Sequence, residues 1–195
     1  MVCNPRNAPG ENCMTNSQPT EIEGVILIQA KYSNDFRGSF VKFHPNELLQ
    51  QRMTSVAVST NPRIGTIRGL HLQVEPFAEE KIVTCVKGSV FEVVVDVRPD
   101  SKSFGLVETF ELSQKSAQQI YLPKGIAHGF QTLSPDTMVH YFLTSRYSPE
   151  SSYSIDPFGD LGIEWPIKDR TISEKDANGL TFEFVARKYA ESLDS

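Results

Sequence analysis

Three fragments of this 195-residue chain concentrate side chains able to bind or move protons. Arg68, His71 and Gln73 fall in the run GTIRGLHLQ, with Lys81 ten residues after the histidine. His128 follows Pro123-Lys124-Gly125, and a third stretch carries His140, Tyr141 and Tyr147. Each fragment sets a titratable or hydrogen-bonding group inside or beside an apolar run. Burial strips hydration from an imidazole or ammonium and disfavours its charged form, which makes such groups candidate bases or electrostatic stabilisers. Singly, each has a plainer role: a hydrogen-bonded core histidine, a lysine snorkelling to the surface, a half-buried tyrosine with its hydroxyl satisfied.

The elements that must hold these groups read as strands. From Glu21 onward, short runs rich in β-branched and aromatic residues recur between Gly, Pro, Asn and Asp punctuation. They are GVILIQA, GSFVKF, SVAVST, GTIRGLHLQ, KIVTCV, SVFEVVVDV, GLVETFELS, QQIYLP, HGFQTL and TMVHYFL. The spacing fits an all-β sandwich or jelly roll and leaves no room for the helices of parallel βαβ crossovers. Two short peripheral helices are expected, over 45–51 and 182–193. Gly88 in Val-Lys-Gly-Ser-Val predicts a tight hairpin, with Lys81, Val83 and Cys85 on one strand face and Ile82 and Thr84 on the other. Residues 1–20, rich in Asn, Pro, Ser and Gly without a hydrophobic period, read as a flexible arm ahead of a single domain over 21–195.

Composition narrows the function. With 24 acidic against 19 basic residues and no Lys/Arg cluster, the chain lacks the footprint of a nucleic-acid binder. No apolar stretch approaches a membrane span, and the first twenty residues lack the apolar centre of a signal peptide. Cys3, Cys13 and Cys85 are scattered and odd in number, which argues against a disulfide framework and a thiolate zinc site and favours a cytoplasmic location.

Together GTIRGLHLQ, KIVTCVKGSVFEVVVDVR, LPKGIAHGF, the Tyr141 and Tyr147 pair, LGIEWP and SEKD resemble the dTDP-4-dehydrorhamnose 3,5-epimerase family from about residue 21 to 180. The resemblance implies a cupin-type jelly roll (double-stranded β-helix), a homodimer, and no metal or organic cofactor. It implies an epimerase acting at C3, C5 or both of a nucleoside-diphosphate 4-keto-6-deoxyhexose in deoxysugar biosynthesis. The nucleotide it implies is dTDP, with CDP and GDP as alternatives. In that scheme His71 is the base, Asp176 of SEKD orients it, Lys81 steadies the enolate and Tyr141 returns the proton. Arg37, Arg68, Gln73, His128, Tyr147 and Lys42 fall at positions expected to meet the substrate.

Two features qualify this expectation. Strict alternation sets His71 on the strand face opposite Arg68, so sharing a pocket requires a bulge or twist at Gly69. The chain also departs from the family pattern: Ser55 and Ala57 stand where relatives usually carry Gln and Asn, Lys42 where Glu is usual, and Phe142 where Lys commonly follows the tyrosine.

Other readings remain open on the sequence. SEKD alone could be a helix start with Ser173 as its cap, and His44 and His140 read as structural. One alternative function is a silent sugar-nucleotide binding module. Another is a metal-dependent cupin, disfavoured because Gln73 stands where a second His ligand would be.

Overall fold

The computed structural model describes residues 17–43, 49 and 52–194. Within them the chain forms thirteen strands and two helices. The first strands are β1 (Ser17–Pro19), β2 (Ile26–Gln29), β3 (Lys31–Asp35), β4 (Gly38–Lys42), β5 (Ser55–Asn61), β6 (Ile67–Gln73) and β7 (Lys81–Lys87). The remainder are β8 (Ser89–Asp96), β9 (Val107–Ser113), β10 (Gln118–Leu122), β11 (Ile126–Thr132), β12 (Thr137–Leu143) and β13 (Ser152–Ser154). Helices α1 (Glu174–Ala177) and α2 (Phe182–Leu193) follow.

Two antiparallel sheets face each other as a jelly roll. One has the order β1-β2-β10-β7-β12-β5 and the other β13-β6-β11-β8-β9, while β3 and β4 form a separate two-stranded ribbon. Strand alternation divides the apolar residues into two layers. Val83, Cys85, Val90, Val94, Ile126, Phe130 and Val139 pack between the sheets. Ile67, Leu70, Leu72, Val93, Val95 and Ala127 point out of the five-stranded sheet against Trp165 and α2, which buries Val185, Ala186 and Tyr189. The Trp165 indole is fixed by donating from Nε1 to the Pro157 carbonyl at 2.8 Å. Thr181 caps α2 by accepting from the Phe184 N–H, so the spacing-based expectation for 182–193 holds to the residue.

The fold corrects the sequence reading at two places. Gly88 does have a positive φ of 79°, but no hairpin forms there. β7 pairs with β10 and β12, β8 pairs with β9 and β11, and Gly88 hands the chain from one sheet to the other. A local turn signal specifies the backbone bend and not which sheet the next strand joins. Ser17–Pro19, assigned to the N-terminal arm, pair with β2 instead; residues 1–16, with Cys3 and Cys13, lie outside the described residues. Of the helix expected over 45–51 only Leu49 is described, and it is fully buried; the rest, like His44, lies outside the described residues.

Candidate active site

Gly69 decides the geometry of the site. Pairing between β6 and β11 runs His71↔His128 and then Arg68↔Phe130, three residues on one strand against two on the other. The extra residue restores Arg68 and His71 to the same inward face, as the sequence demanded, while Leu70 and Leu72 keep facing the outer layer. Glycine is required here. Its φ is 115°, and a Cβ would lie 2.6 Å from Gly129 Cα and 2.7 Å from the His128 carbonyl.

The inward face of β6 meets β5, β7 and β12 across a cavity of about 360 Å³ between the sheets. His71, Arg68, Lys81, His128, Tyr141 and Tyr147 all line it, so six residues from five segments of the chain converge. His128 and Tyr141 come from opposite sheets, with ring centroids 6.2 Å apart in an edge-on arrangement. Tyr147 stands exposed at the mouth.

Asp176 lies behind His71. Its Oδ1 is 2.6 Å from His71 Nε2 and also accepts from Ser154 Oγ at 3.3 Å, and Oδ2 accepts from the Gly69 N–H at 3.3 Å. Burial alone would raise the Asp176 pKa, but the His71 hydrogen bond and charge, the Gly69 N–H and Ser173 outweigh it and hold the carboxyl below its ordinary value. An ionised carboxylate only accepts, so Nε2 carries the proton and Nδ1 is the ring nitrogen left to act as a base. Ser173 also caps α1, accepting from the Asp176 N–H at 3.1 Å. SEKD is thus a capped helix start, and the same cap aims the Asp176 carboxylate at His71.

On the opposite sheet Lys81 Nζ pairs with Glu79 at 3.0 Å, both side chains nearly buried. Burial pushes the Tyr141 phenol well above the usual range, against the hydrogen bond with Ser59 and the charge of Arg68. At pH 7 it is protonated. Beneath the cavity floor His128 Nδ1 lies 2.6 Å from Glu92 Oε1. Burial drives the His128 imidazole well down, with the charges of Lys81 and His71 adding to it, and drives the Glu92 carboxyl well up against the pull of Lys81. Both members favour their neutral forms. Among the described residues Glu92 Oε2 has no partner, which a neutral acid tolerates better than a carboxylate.

Two of the predicted site residues lie away from this cavity, and a third lines it with its amide bonded to the surrounding loops. Gln73 lines the cavity, but its amide is spent: Nε2 donates to the Phe77 and Arg146 carbonyls at 3.0 and 3.1 Å, and Oε1 accepts from the Ser148 N–H at 2.7 Å. It holds the rim loops together. Arg37 and Lys42 sit on the β3–β4 ribbon and do not line the cavity; Arg37 is bound to Asp35 and faces a separate groove with Ser33, Ser39 and Phe40. Motif matching orders residues along the chain, and a projecting ribbon need not fold back onto its own protomer. Glu92, Glu79, Ser59 and Asn61 went unnoticed. The signal for Glu92 was a carboxylate at an inward position of the otherwise apolar run VFEVVV. Ala57 lines the cavity while Ser55 does not. Among the described residues no group of three or more His, Cys, Asp and Glu side chains could hold a metal ion.

A jelly roll with a carboxylate-bound imidazole and a buried phenol around one hollow is built for proton transfer at carbon, and its class is that of the cupin-type isomerases. Comparison with known proteins narrows this. The sequence model for dTDP-4-dehydrorhamnose 3,5-epimerase matches residues 19–183. A protein of that name from Sinorhizobium fredii is 38% identical over 170 residues, covering 83% of this chain and 86% of the relative. NovW, a 4-keto-6-deoxy sugar epimerase from the novobiocin cluster of Streptomyces spheroides, superposes with a TM-score of 0.82 at 31% identity, covering 90% of each chain. The Legionella pneumophila 3,5-epimerase in complex with dTDP-4-keto-L-rhamnose gives a TM-score of 0.82 at 34% identity, covering 89% of this chain and 96% of that one. The chain belongs to the dTDP-4-dehydrorhamnose 3,5-epimerase family.

Proposed function

We propose that the cavity binds a dTDP-linked 4-keto-6-deoxyhexose and inverts it at C3, C5 or both, in the cytoplasm, with His71 as base and Tyr141 as acid. The C4 ketone acidifies the neighbouring C–H bonds because the electron pair left by deprotonation delocalises onto O4. His71 Nδ1 takes the proton, and the charge it gains is stabilised by Asp176. Lys81, a nearly buried cation lining the same cavity, steadies the developing enolate, and its enclosure makes that attraction stronger than in water. Electrons return from O4 to carbon as Tyr141 delivers its proton from the other face, and the phenolate is then reprotonated from solvent. The observation that carries the proposal is the His71–Asp176 contact of 2.6 Å on one cavity shared with Tyr141 from the facing sheet.

A homodimer fits this reading. The edge strand β5 exposes Val56 and Val58, each at about half of full exposure, and the β3–β4 ribbon exposes Phe36 at 98% and Phe40 at 66%. These are apolar surfaces that a second copy would cover. The ribbon of one copy laid across the cavity mouth of another would also bring Arg37 and Lys42 to the substrate phosphates. No helix among the described residues is long and apolar enough to cross a membrane.

Incubating the protein with dTDP-4-keto-6-deoxyglucose in D2O tests the assignment. Proton NMR should show deuterium entering the ring beside the ketone, and His71→Ala should abolish the incorporation. Undiminished exchange in that variant would reject His71 as the base.

A further inference from the structure

Strand β5 carries three inward residues in alternation, Ala57, Ser59 and Asn61, and the last two connect groups that the reaction uses separately. Tyr141 Oη lies 3.2 Å from Ser59 Oγ. Asn61 Nδ2 donates to that same oxygen at 3.3 Å and to the Thr137 carbonyl at 3.2 Å, and Asn61 Oδ1 accepts from Arg68 Nε at 2.7 Å. Asn61 is fully buried.

The donor count fixes the direction of this chain from Arg68 through Asn61 to Ser59. Both Asn61 amide hydrogens are spent, and a flipped amide would set its NH2 against the guanidinium N–H, donor against donor. Ser59 Oγ accepts from Asn61 and keeps one O–H and one lone pair, so toward the neutral Tyr141 phenol it can donate or accept. Once Tyr141 is ionised, donors run in one sense, from Arg68 to Asn61 to Ser59 to the phenolate oxygen, each polarising the next, with a permanent cation at the far end. A neutral phenol can give or take a hydrogen bond, whereas a phenolate only accepts. Turning the Ser59 O–H is therefore the sole adjustment needed when Tyr141 loses its proton, and no heavy atom has to move.

We propose that Ser59, held by Asn61 and Arg68, is a positioning residue that stabilises the Tyr141 phenolate and so sets how often a carbanion is protonated on the inverting face. This rests on the function proposed above. The enolate can take a proton back from His71 with the original configuration, or from Tyr141 with inversion. Weakening the phenolate's partner shifts the partition toward the first route.

The partition is measurable. In D2O, His71 is exposed enough, at 37% of its side chain, to exchange its proton with solvent. Return from His71 then labels the recovered starting sugar, while delivery from Tyr141 labels the inverted product. With dTDP-4-keto-6-deoxyglucose as probe, Ser59→Ala should lower the product-to-exchange ratio by about 10- to 100-fold, the effect of removing one hydrogen bond to a charged group. Ser59→Thr, which keeps a hydroxyl, should restore the ratio. Asn61→Ala should lower it in the same direction although it touches neither phenol nor sugar. If Ser59→Ala slows exchange and inversion equally, or leaves the ratio unchanged, the inference is overturned. Absence of both exchange and inversion in the unaltered protein would overturn the proposed function, and this inference with it.

Discussion

Replacing Asp176 by Asn changes one oxygen to NH2 and separates two roles of the carboxylate. The ionised side chain accepts from His71 Nε2 at 2.6 Å and from the Gly69 N–H at 3.3 Å, and it compensates the charge His71 gains on taking a proton. An asparagine keeps the shape but can turn its NH2 toward Nε2, driving the ring hydrogen to Nδ1, where it blocks the base. Losing a charge-assisted hydrogen bond and the correct tautomer together should cost about 3–5 kcal/mol in the transition state, or roughly a 10²- to 10⁴-fold fall in proton abstraction. The assay is the initial rate of deuterium wash-in to the 4-keto sugar, followed by NMR. Thermal unfolding of the same samples separates catalysis from folding. Asp176 has a folded-state pKa below the ordinary aspartate value of 3.8, so its contribution to stability is present above that value and lost as pH falls through the depressed one. Any stability gap between the parent and Asp176→Asn should therefore be seen at neutral pH and close in acid. A wash-in rate within twofold of the parent at pH 7 would refute the role given to the carboxylate.

Three further substitutions, at two positions, probe the scaffold. Gly69→Ala places a methyl 2.6 Å from Gly129 Cα at a φ of 115°, which should lower the melting temperature by about 5–15 °C; an unchanged melting curve would mean that β6 and β11 do not approach this closely. Glu92→Gln should cost less than about 1 kcal/mol by denaturant unfolding, because a neutral amide replaces a neutral acid, whereas Glu92→Ala should cost about 2–4 kcal/mol for the void and the stranded His128 Nδ1. A loss of about 3–5 kcal/mol in Glu92→Gln would instead indicate a buried ion pair.

Much of the site was legible because its signals are local. The strand GTIRGLHLQ places a glycine between an arginine and a histidine that strict alternation would separate, and the bulge inferred there is present in the β6–β11 register. Ser173 ahead of Glu174 gave the α1 cap, and that cap positions Asp176. The groups that went unread gain their meaning from partners far along the chain. Glu92 matters through His128, 36 residues on, and Ser59 through Tyr141, 82 residues on. Gln73 looked like a ligand for substrate until Arg146 and Ser148 claimed its amide.

The sequence by itself determined where strands run, which of their faces are apolar, and which side-chain types are on hand for proton transfer. These follow from a two-residue period and from the chemistry of each side chain. Tertiary structure alone decided that β7 and β8, joined by one glycine, enter different sheets, that Asp176 reaches back 105 residues to His71, and that Arg37 projects on a ribbon away from its own cavity. Periodicity is written into neighbouring residues, whereas the pairing of distant strands depends on which buried faces and backbone edges satisfy one another once the whole chain has closed.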